Sequence, residues 1–366
     1  MTKKERIFSL SGERFASVDA LRGFDMLWIL GAGEVLRRAL MIFANPLPQG
    51  VAAQFDHAEW IGFTAWDIIM PLFLFIVGAS LPIALSKRLS RGDSKLSIYL
   101  HTLRRVCILW ILGMAAQGNL LGLDPSKFFF YSNTLQAIAA GYLVSTVLML
   151  HTGIFVQITS IAAMLVSYWL LLVLVPVPGH GAGVLSPSGN LAMYIDTIIL
   201  GRFRDGTNYT WILSSLGFAS TVMLGVMSGR ILNLAKGAYR KILLLAAAGF
   251  GCIALGLLWS ACFPIIKHIW TSSFVLFSGG ICFLLLALFY WIIDVRGYSK
   301  WAFPMRVAGM NSIVAYLLTG VTEAILANNG AMGMGPAAGF LAALGVLAGL
   351  WVILYIMFRF RVFVRI

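Results

Sequence analysis

Long apolar runs with very few charges recur along the chain and constrain what it can fold into. Runs such as residues 242–262, 273–293 and 337–358 are long enough for a helix to cross the hydrocarbon core of a bilayer. The chain is 60% hydrophobic and 11% charged, a balance that excludes a water-soluble domain of 366 residues. Within a bilayer a helix satisfies all of its own backbone polar groups. The sequence therefore predicts an all-α, polytopic membrane helix bundle.

Basic residues are concentrated in a few segments between these runs. Five segments hold 21 of the 27 Lys and Arg residues: 1–22, 87–105, 230–241, 296–306 and 359–365. All five lie on one side if the chain crosses the membrane about ten times with both termini in the cytoplasm, as the positive-inside rule requires. The formal charge of +13 is then mainly a topology signal, and we expect no nucleic-acid partner.

We expect one transmembrane domain over residues 1–366, with a cytoplasmic basic lead at 1–16 and a long extracytoplasmic loop at 176–208. The first predicted helix ends near residue 43. The other nine span about 57–85, 103–121, 133–150, 153–175, 210–229, 242–262, 273–293, 307–327 and 337–358.

The second predicted helix, which begins at His57, carries an unusual polar stripe. His57, Trp60, Thr64, Asp67 and Pro71 follow one another at steps of three or four residues, so a helix would place them on one face. Ionisable residues inside a membrane helix usually face a cavity, a pathway or a partner. From this stripe alone, His57 is either a catalytic group or a structural, hydrogen-bonded histidine.

Other polar residues have structural interpretations beside functional ones. Asp19 and Arg22 can form an ion pair at i, i+3, and Asp25 and Glu34 are acids within the first helix. Asn311 and the small residues of the Leu224–Gly229 segment fit close helix packing. The histidines have no metal-ligand spacing and the four cysteines form no CxxC pair, so we expect neither a metal nor a disulfide framework.

Several of these stretches together resemble the membrane catalytic domain of heparan-α-glucosaminide N-acetyltransferase and its bacterial relatives. Ser17-Val18-Asp19 with Arg22-Gly23 is similar to the family's Ser-Val-Asp-x-x-Arg-Gly, and the stretch from His57 to Gly78 matches the family's His-x2-Trp-x-Gly-x-Thr-x2-Asp-x3-Pro pattern and its continuation. Weaker similarities include Tyr194-Ile195-Asp196 and Gly309-Met310-Asn311-Ser312.

The resemblance implies transfer of an acetyl group from cytoplasmic acetyl-CoA to the amine of a terminal glucosamine across the membrane. It places the catalytic histidine at His57. The chain departs from the family in two respects: the lysosomal members have a luminal domain ahead of these helices, and they carry an active-site asparagine in the first helix where this chain has Gly33 followed by Glu34.

Roles for the surrounding residues follow from the chemistry of this reaction. His57 would act as general base or as a covalent acetyl carrier, and Asp67 or Glu34 would orient its ring. Asn311 or a backbone amide would donate to the developing oxyanion. From their predicted side, Arg22, Arg104 and Arg105 would bind the CoA phosphates, and Trp60, Thr64 and Asp196 would line the acceptor site.

Two other functions stay open at this point. An O-acetyltransferase of an envelope polysaccharide would share the donor and use a hydroxyl acceptor, whereas a sugar or lipid-linked carrier would use the same intramembrane acids without bond chemistry. We expect membrane lipids, CoA and an amino-sugar or glycan acceptor as partners, a bacterial inner membrane as the location, and leave a homodimer open.

Overall fold

The computed structural model describes residues 15–116, 128–320 and 335–364, and this part of the chain is helical without a β-strand. The all-α prediction is confirmed over these residues. Among the described residues, eight helices are long and apolar enough to cross a membrane, so the protein is a multi-pass membrane protein; the count of ten and the side of the termini stay predictions. The predicted lead up to residue 14 and the last part of the ninth predicted helix, 321–327, lie outside the described residues.

The described chain forms two compact units, one of residues 59–63 and 70–284 and the other of residues 15–58, 64–69 and 285–364. We call them the large unit and the small unit. The large unit contains most of α4 (Ile69–Ser90), then α5 (Lys95–Ala116), α6 (Thr134–His151), α7 (Ile154–Leu174), α8 (Leu191–Leu200), α9 (Ser215–Leu232), α10 (Ala238–Ser260) and most of α11 (Ser272–Phe289).

The large unit is built around a close contact between α4 and α9. A Cβ added to Gly78 would lie 1.9 Å from the carbonyl oxygen of Val222, and one added to Gly225 would lie 2.0 Å from that of Phe75. Glycine is therefore required where the two backbones touch, as in other membrane helix pairs. The predicted packing role of the Leu224–Gly229 segment is confirmed.

The small unit holds the two ends of the described chain. It contains α1 (Ala16–Leu27), a π-helical turn (Trp28–Ala32), α2 (Gly33–Phe43), the short α3 (Gln49–Ala52), a second π-helical turn (Tyr290–Val295), α12 (Phe303–Met310), α13 (Ser312–Leu317) and α14 (Pro336–Arg359).

The first helix is anchored at its start and bent in its middle. The Asp294 carboxylate accepts hydrogen bonds from the backbone N–H groups of Ala16 and Ser17, both at 3.1 Å, and so caps α1. Gly309 of α12 lies against α1, since a Cβ there would be 2.4 Å from the Asp19 carbonyl oxygen. The π-helical turn then interrupts the helix at Gly31, whose φ of 126° favours glycine.

Candidate active site

The segment from His57 to Thr64 is not helical, which corrects one expectation. A 3-10 turn begins at Ala65 and leads into α4 at Ile69, so the predicted helix begins about eight residues later than His57. Thr64 is extended, with φ −116° and ψ 167°, and forms a capping box with Asp67. The single helical stripe from His57 to Pro71 is therefore wrong, and His57 reaches Asp67 through a folded loop instead.

Asp67 is fully buried and ties this loop together. Its Oδ1 lies 2.8 Å from Nδ1 of His57, whose side chain is 41% exposed. Its Oδ2 accepts the backbone N–H groups of Thr64 at 3.0 Å and Ala58 at 3.3 Å. The hydroxyl of Thr64 lies 3.1 Å from the same oxygen and donates to the Asp56 carbonyl at 2.7 Å. Both carboxylate oxygens are thus held by the loop that presents His57.

This geometry determines which imidazole nitrogen carries the proton. An ionised carboxylate only accepts hydrogen bonds, so Nδ1 of His57 donates to Oδ1 when Asp67 is ionised. In the neutral ring, Nε2 is then the nitrogen with the lone pair. A buried carboxylate, a histidine in a fixed tautomer and a partly exposed ring are the arrangement that a general base or an imidazole nucleophile requires.

Trp66 fills the space beside His57 and Gly33. Its ring centroid lies 6.3 Å from that of His57 and 6.3 Å from that of Trp28. A Cβ on Gly33 would lie 2.5 Å from Cζ3 of Trp66. The tryptophan therefore occupies the space that a larger residue at position 33 would need, which gives a physical reason for glycine there.

Glu34 and Asn311 make other contacts in the small unit. Glu34 pairs with Arg38 at 2.6 Å and with Arg37 at 3.8 Å. The buried amide of Asn311 donates to the Val362 carbonyl at 3.1 Å and accepts the N–H of Val364 at 3.0 Å. These contacts explain both residues structurally, and their suggested roles beside His57 stay predictions.

The three arginines predicted to bind CoA differ in their surroundings. Arg22 of the small unit lies 3.4 Å from Asp19, the ion pair that the sequence suggested. In the large unit Arg104 is exposed, while the guanidinium of Arg105 lies over the ring of Tyr142, 4.4 Å from its centroid. An exposed or stacked guanidinium can still bind a phosphate, so the predicted role stays untested.

Trp60 and Asp196 belong to the large unit. The indole N–H of Trp60 donates to the Leu185 carbonyl at 2.9 Å, and its ring stacks on His268 with centroids 5.1 Å apart. Asp196 is fully buried and accepts the backbone N–H groups of Trp211 at 2.7 Å and Ile212 at 3.0 Å. Its carboxylate thus fastens the α8 region to the segment that precedes α9.

Burial raises the pKa of Asp196 to about 6. The two N–H groups and nearby Arg204 oppose that rise, whereas Asp205 adds to it.

Sequence reasoning gave no role to three residues of the small unit. Asp25 was noted only as an intramembrane acid, yet it is 1% exposed and neither carboxyl oxygen has a hydrogen-bond partner among the described residues. The indole N–H of Trp28 is also buried without a described partner. Trp66 packs beside His57, and no pattern in the sequence marks it.

Within the described ranges, no group of three His, Cys, Asp or Glu residues could hold a metal ion. No disulfide joins any two of the four cysteines.

Comparison with known proteins gives two kinds of similarity. Residues 14–127 match a family model described as a domain of unknown function, DUF5009. Heparan-alpha-glucosaminide N-acetyltransferase of Homo sapiens is 27% identical over 362 residues, which cover 83% of this chain and 52% of that protein. The Mus musculus protein of the same name is 27% identical over 365 residues, which cover 84% of this chain and 53% of that protein. The chain thus spans about half the length of the curated relatives it matches.

Proposed function

Because the chain is a distant relative of heparan-alpha-glucosaminide N-acetyltransferase, we propose that it is a membrane acetyltransferase. Acetyl-CoA on the cytoplasmic side is the donor, and the amine of a glucosamine-type sugar on the far side is the acceptor. The observation that carries the proposal is the 2.8 Å contact between Nδ1 of His57 and the buried Asp67 carboxylate. This contact leaves Nε2 as the basic nitrogen of the neutral ring.

In direct transfer, Nε2 of His57 removes a proton from the amine while the amine nitrogen attacks the thioester carbonyl carbon. The C–S bond of the tetrahedral intermediate then breaks, and the CoA thiolate takes the proton from the imidazolium. The products are the sugar acetamide and CoA thiol, and the histidine returns to its starting form. Asp67 keeps the Nδ1–H direction fixed through both proton transfers.

A covalent route uses the same residues. Nε2 attacks the thioester carbon, and the CoA thiolate leaves. The amine then attacks the acetyl-imidazolium, the Nε2–C bond breaks to give back the neutral imidazole, and the thiolate takes up the proton that the amine loses. The two routes differ in one measurable species, the acetylated histidine. If the protein is incubated with labelled acetyl-CoA without an acceptor and then quenched with acid, it retains the label only in the covalent route.

The surroundings of the arginines bear on the donor. The CoA phosphates carry several negative charges, which suit guanidinium groups near the cytoplasmic membrane surface. Arg104 and Arg105 on α5 and Arg22 on α1 keep this proposed role. The location in a bacterial inner membrane belongs to the same proposal, and the eight apolar helices of the described residues support a membrane location.

The proposal is tested by substituting His57 in the purified full-length protein. Transfer from radiolabelled acetyl-CoA to glucosamine should fall at least about 100-fold in His57→Ala, the smallest effect typical of losing a general base. His180→Ala is the matched control, since that histidine lies exposed in the large unit, and it should retain wild-type activity. Activity of a folded His57→Ala protein within threefold of wild type would overturn the proposal.

The alternatives are separated by the acceptor and the donor. Offering glucosamine and glucose side by side distinguishes an amine acceptor from a hydroxyl acceptor. A carrier should gain no thermal stability from acetyl-CoA, whereas an enzyme should gain it by mass action.

A further inference from the structure

Three residues on one face of α1 and the start of the π-helical turn that follows carry buried polar atoms without hydrogen-bond partners among the described residues. These atoms are Oγ of Ser17, the carboxyl oxygens of Asp25 and Nε1 of Trp28. Residues 17, 25 and 28 fall within about 80° of one another at 100° per residue, and 11 residues of helix span about 16 Å. All three belong to the small unit, as do His57 and Asp67.

Such groups are costly in an apolar environment. A buried polar group that forms no hydrogen bond costs about 1–3 kcal/mol, and native proteins keep few of them. Ser17 is 0% exposed and Asp25 is 1% exposed, so bulk water does not satisfy them. Unsatisfied donors and acceptors on one helix face indicate groups that a ligand inserted beside α1 would satisfy.

The structure beside this line of polar groups supports the same conclusion. The π-helical turn begins at Trp28, and such turns are frequent at functional sites. Beyond it, Trp28 contacts Trp66, which in turn contacts the ring of His57. The polar line therefore leads along α1 towards the proposed reacting histidine.

The chemistry of the line selects an amide-bearing chain over a cation. Asp25 offers a carboxyl acceptor, Trp28 offers an N–H donor, and Ser17 offers both. An ammonium group would suit the carboxylate but would leave the Trp28 donor unsatisfied. An amide offers both complementary groups, an N–H for the Asp25 carboxyl and a carbonyl for the Trp28 N–H.

We infer that Ser17, Asp25 and Trp28 bind the pantetheine arm of the acyl thioester and direct its acetyl end towards His57. This inference rests on the proposed function, because it takes acetyl-CoA as the donor. The arm is a narrow, uncharged chain with two amides and a hydroxyl group, which is why it can enter the membrane where the phosphates cannot.

The test uses two fragments of the donor and three single substitutions in the full-length protein. S-acetylpantetheine carries the arm without the nucleotide, and adenosine 3′,5′-bisphosphate carries the nucleotide without the arm. Ser17→Ala, Asp25→Ala and Trp28→Phe each remove one unsatisfied group. The matched controls are Ser220→Ala and Trp351→Phe, whose side chains already donate to the Leu216 and Pro304 carbonyls.

We expect Asp25→Ala and Trp28→Phe to weaken binding of S-acetylpantetheine about five- to tenfold, the loss of one hydrogen bond. Binding of the bisphosphate should stay within twofold. The unliganded variants should melt at or above the wild-type temperature, because no described hydrogen bond is lost, whereas a purely structural role predicts a lower melting temperature.

Failure of this inference differs from failure of the proposed function. If wild type transfers acetyl groups and His57→Ala does not, but the Asp25 and Trp28 variants bind S-acetylpantetheine within twofold of wild type, the inference is overturned. If wild type neither binds acetyl-CoA nor transfers acetyl groups, the proposed function itself fails. If Asp25→Ala does not fold, Trp28→Phe alone decides between binding and no binding.

Discussion

Replacing Asp67 with asparagine tests how the buried carboxylate controls His57. The side-chain volume hardly changes, but one oxygen becomes an NH₂ group. Oδ2 of Asp67 receives the N–H groups of Thr64 and Ala58, so the asparagine must keep its carbonyl oxygen there. Its NH₂ group then faces Nδ1 of His57, at the position that now lies 2.8 Å away.

This exchange forces the imidazole into the wrong tautomer. Nδ1 must accept from the new NH₂ group, so the proton of the neutral ring moves to Nε2, the nitrogen that should act as base. Losing the hydrogen bond between the imidazole and the charged carboxylate should cost about 1.5–3 kcal/mol, which corresponds to a rate about 10- to 150-fold lower. The equivalent change in a serine-protease triad, where the tautomer is also wrong, costs about 10⁴-fold. We expect kcat to fall between about 100- and 10,000-fold.

The assay is steady-state acetyl transfer to glucosamine, with the melting temperature of each purified variant. Asp67→Asn should melt close to wild type because the loop keeps its backbone acceptor. Asp93→Asn is the matched control, since Asp93 pairs with Arg88 at 3.4 Å near the end of α4, and its kcat should not change. A folded Asp67→Asn protein with kcat within threefold of wild type would refute the reasoning about the tautomer.

Two further predictions concern the large unit. Gly225→Ala should destabilise the protein by about 1–3 kcal/mol because its Cβ would lie 2.0 Å from the Phe75 carbonyl oxygen. Gly251→Ala is the control, since a Cβ there has open space around it, and it should not lower the stability. Equal melting temperatures for the two variants would contradict the close contact between α4 and α9. Burial raises the pKa of Asp196 to about 6, so between about pH 4 and 6 the folded protein holds a proton on this carboxyl that the unfolded chain releases. The free energy of unfolding should therefore fall as the pH rises from 4 through 6. The melting temperature of Asp196→Asn should depend less on pH over that range, and parallel profiles for the two proteins would rule this out.

Helix positions were largely predictable from the sequence. Hydropathy located α6, α7, α9, α10, α11 and α14 within a few residues of their bounds, apart from the start of α9. The predicted start of α4 was wrong because polar residues recur every three or four positions from His57 to Thr64, and this spacing favours a helix. The competing signal was local: Thr64-x-x-Asp67 is a capping box, which starts a helix rather than continuing one.

The candidate site was predictable only in part, for a physical reason. The motif indicated His57 and Asp67 as candidate functional residues, but their contact depends on a loop whose path hydropathy does not encode. Glu34 pairs with Arg38 at 2.6 Å, and its suggested role beside His57 stays a prediction. Whether the buried polar groups of Ser17, Asp25 and Trp28 find hydrogen-bond partners depends on the atoms that pack around them. A single sequence does not specify those neighbours.

The most direct test of the central claim is acetyl transfer across a sealed membrane. The protein is reconstituted into proteoliposomes with glucosamine trapped inside and labelled acetyl-CoA added outside, and the trapped sugar is then analysed, with His57→Ala vesicles as the control. We expect labelled N-acetylglucosamine inside the wild-type vesicles and none in the control. Acetylation of glucosamine only when it is on the same side as acetyl-CoA, or not at all, would contradict the account.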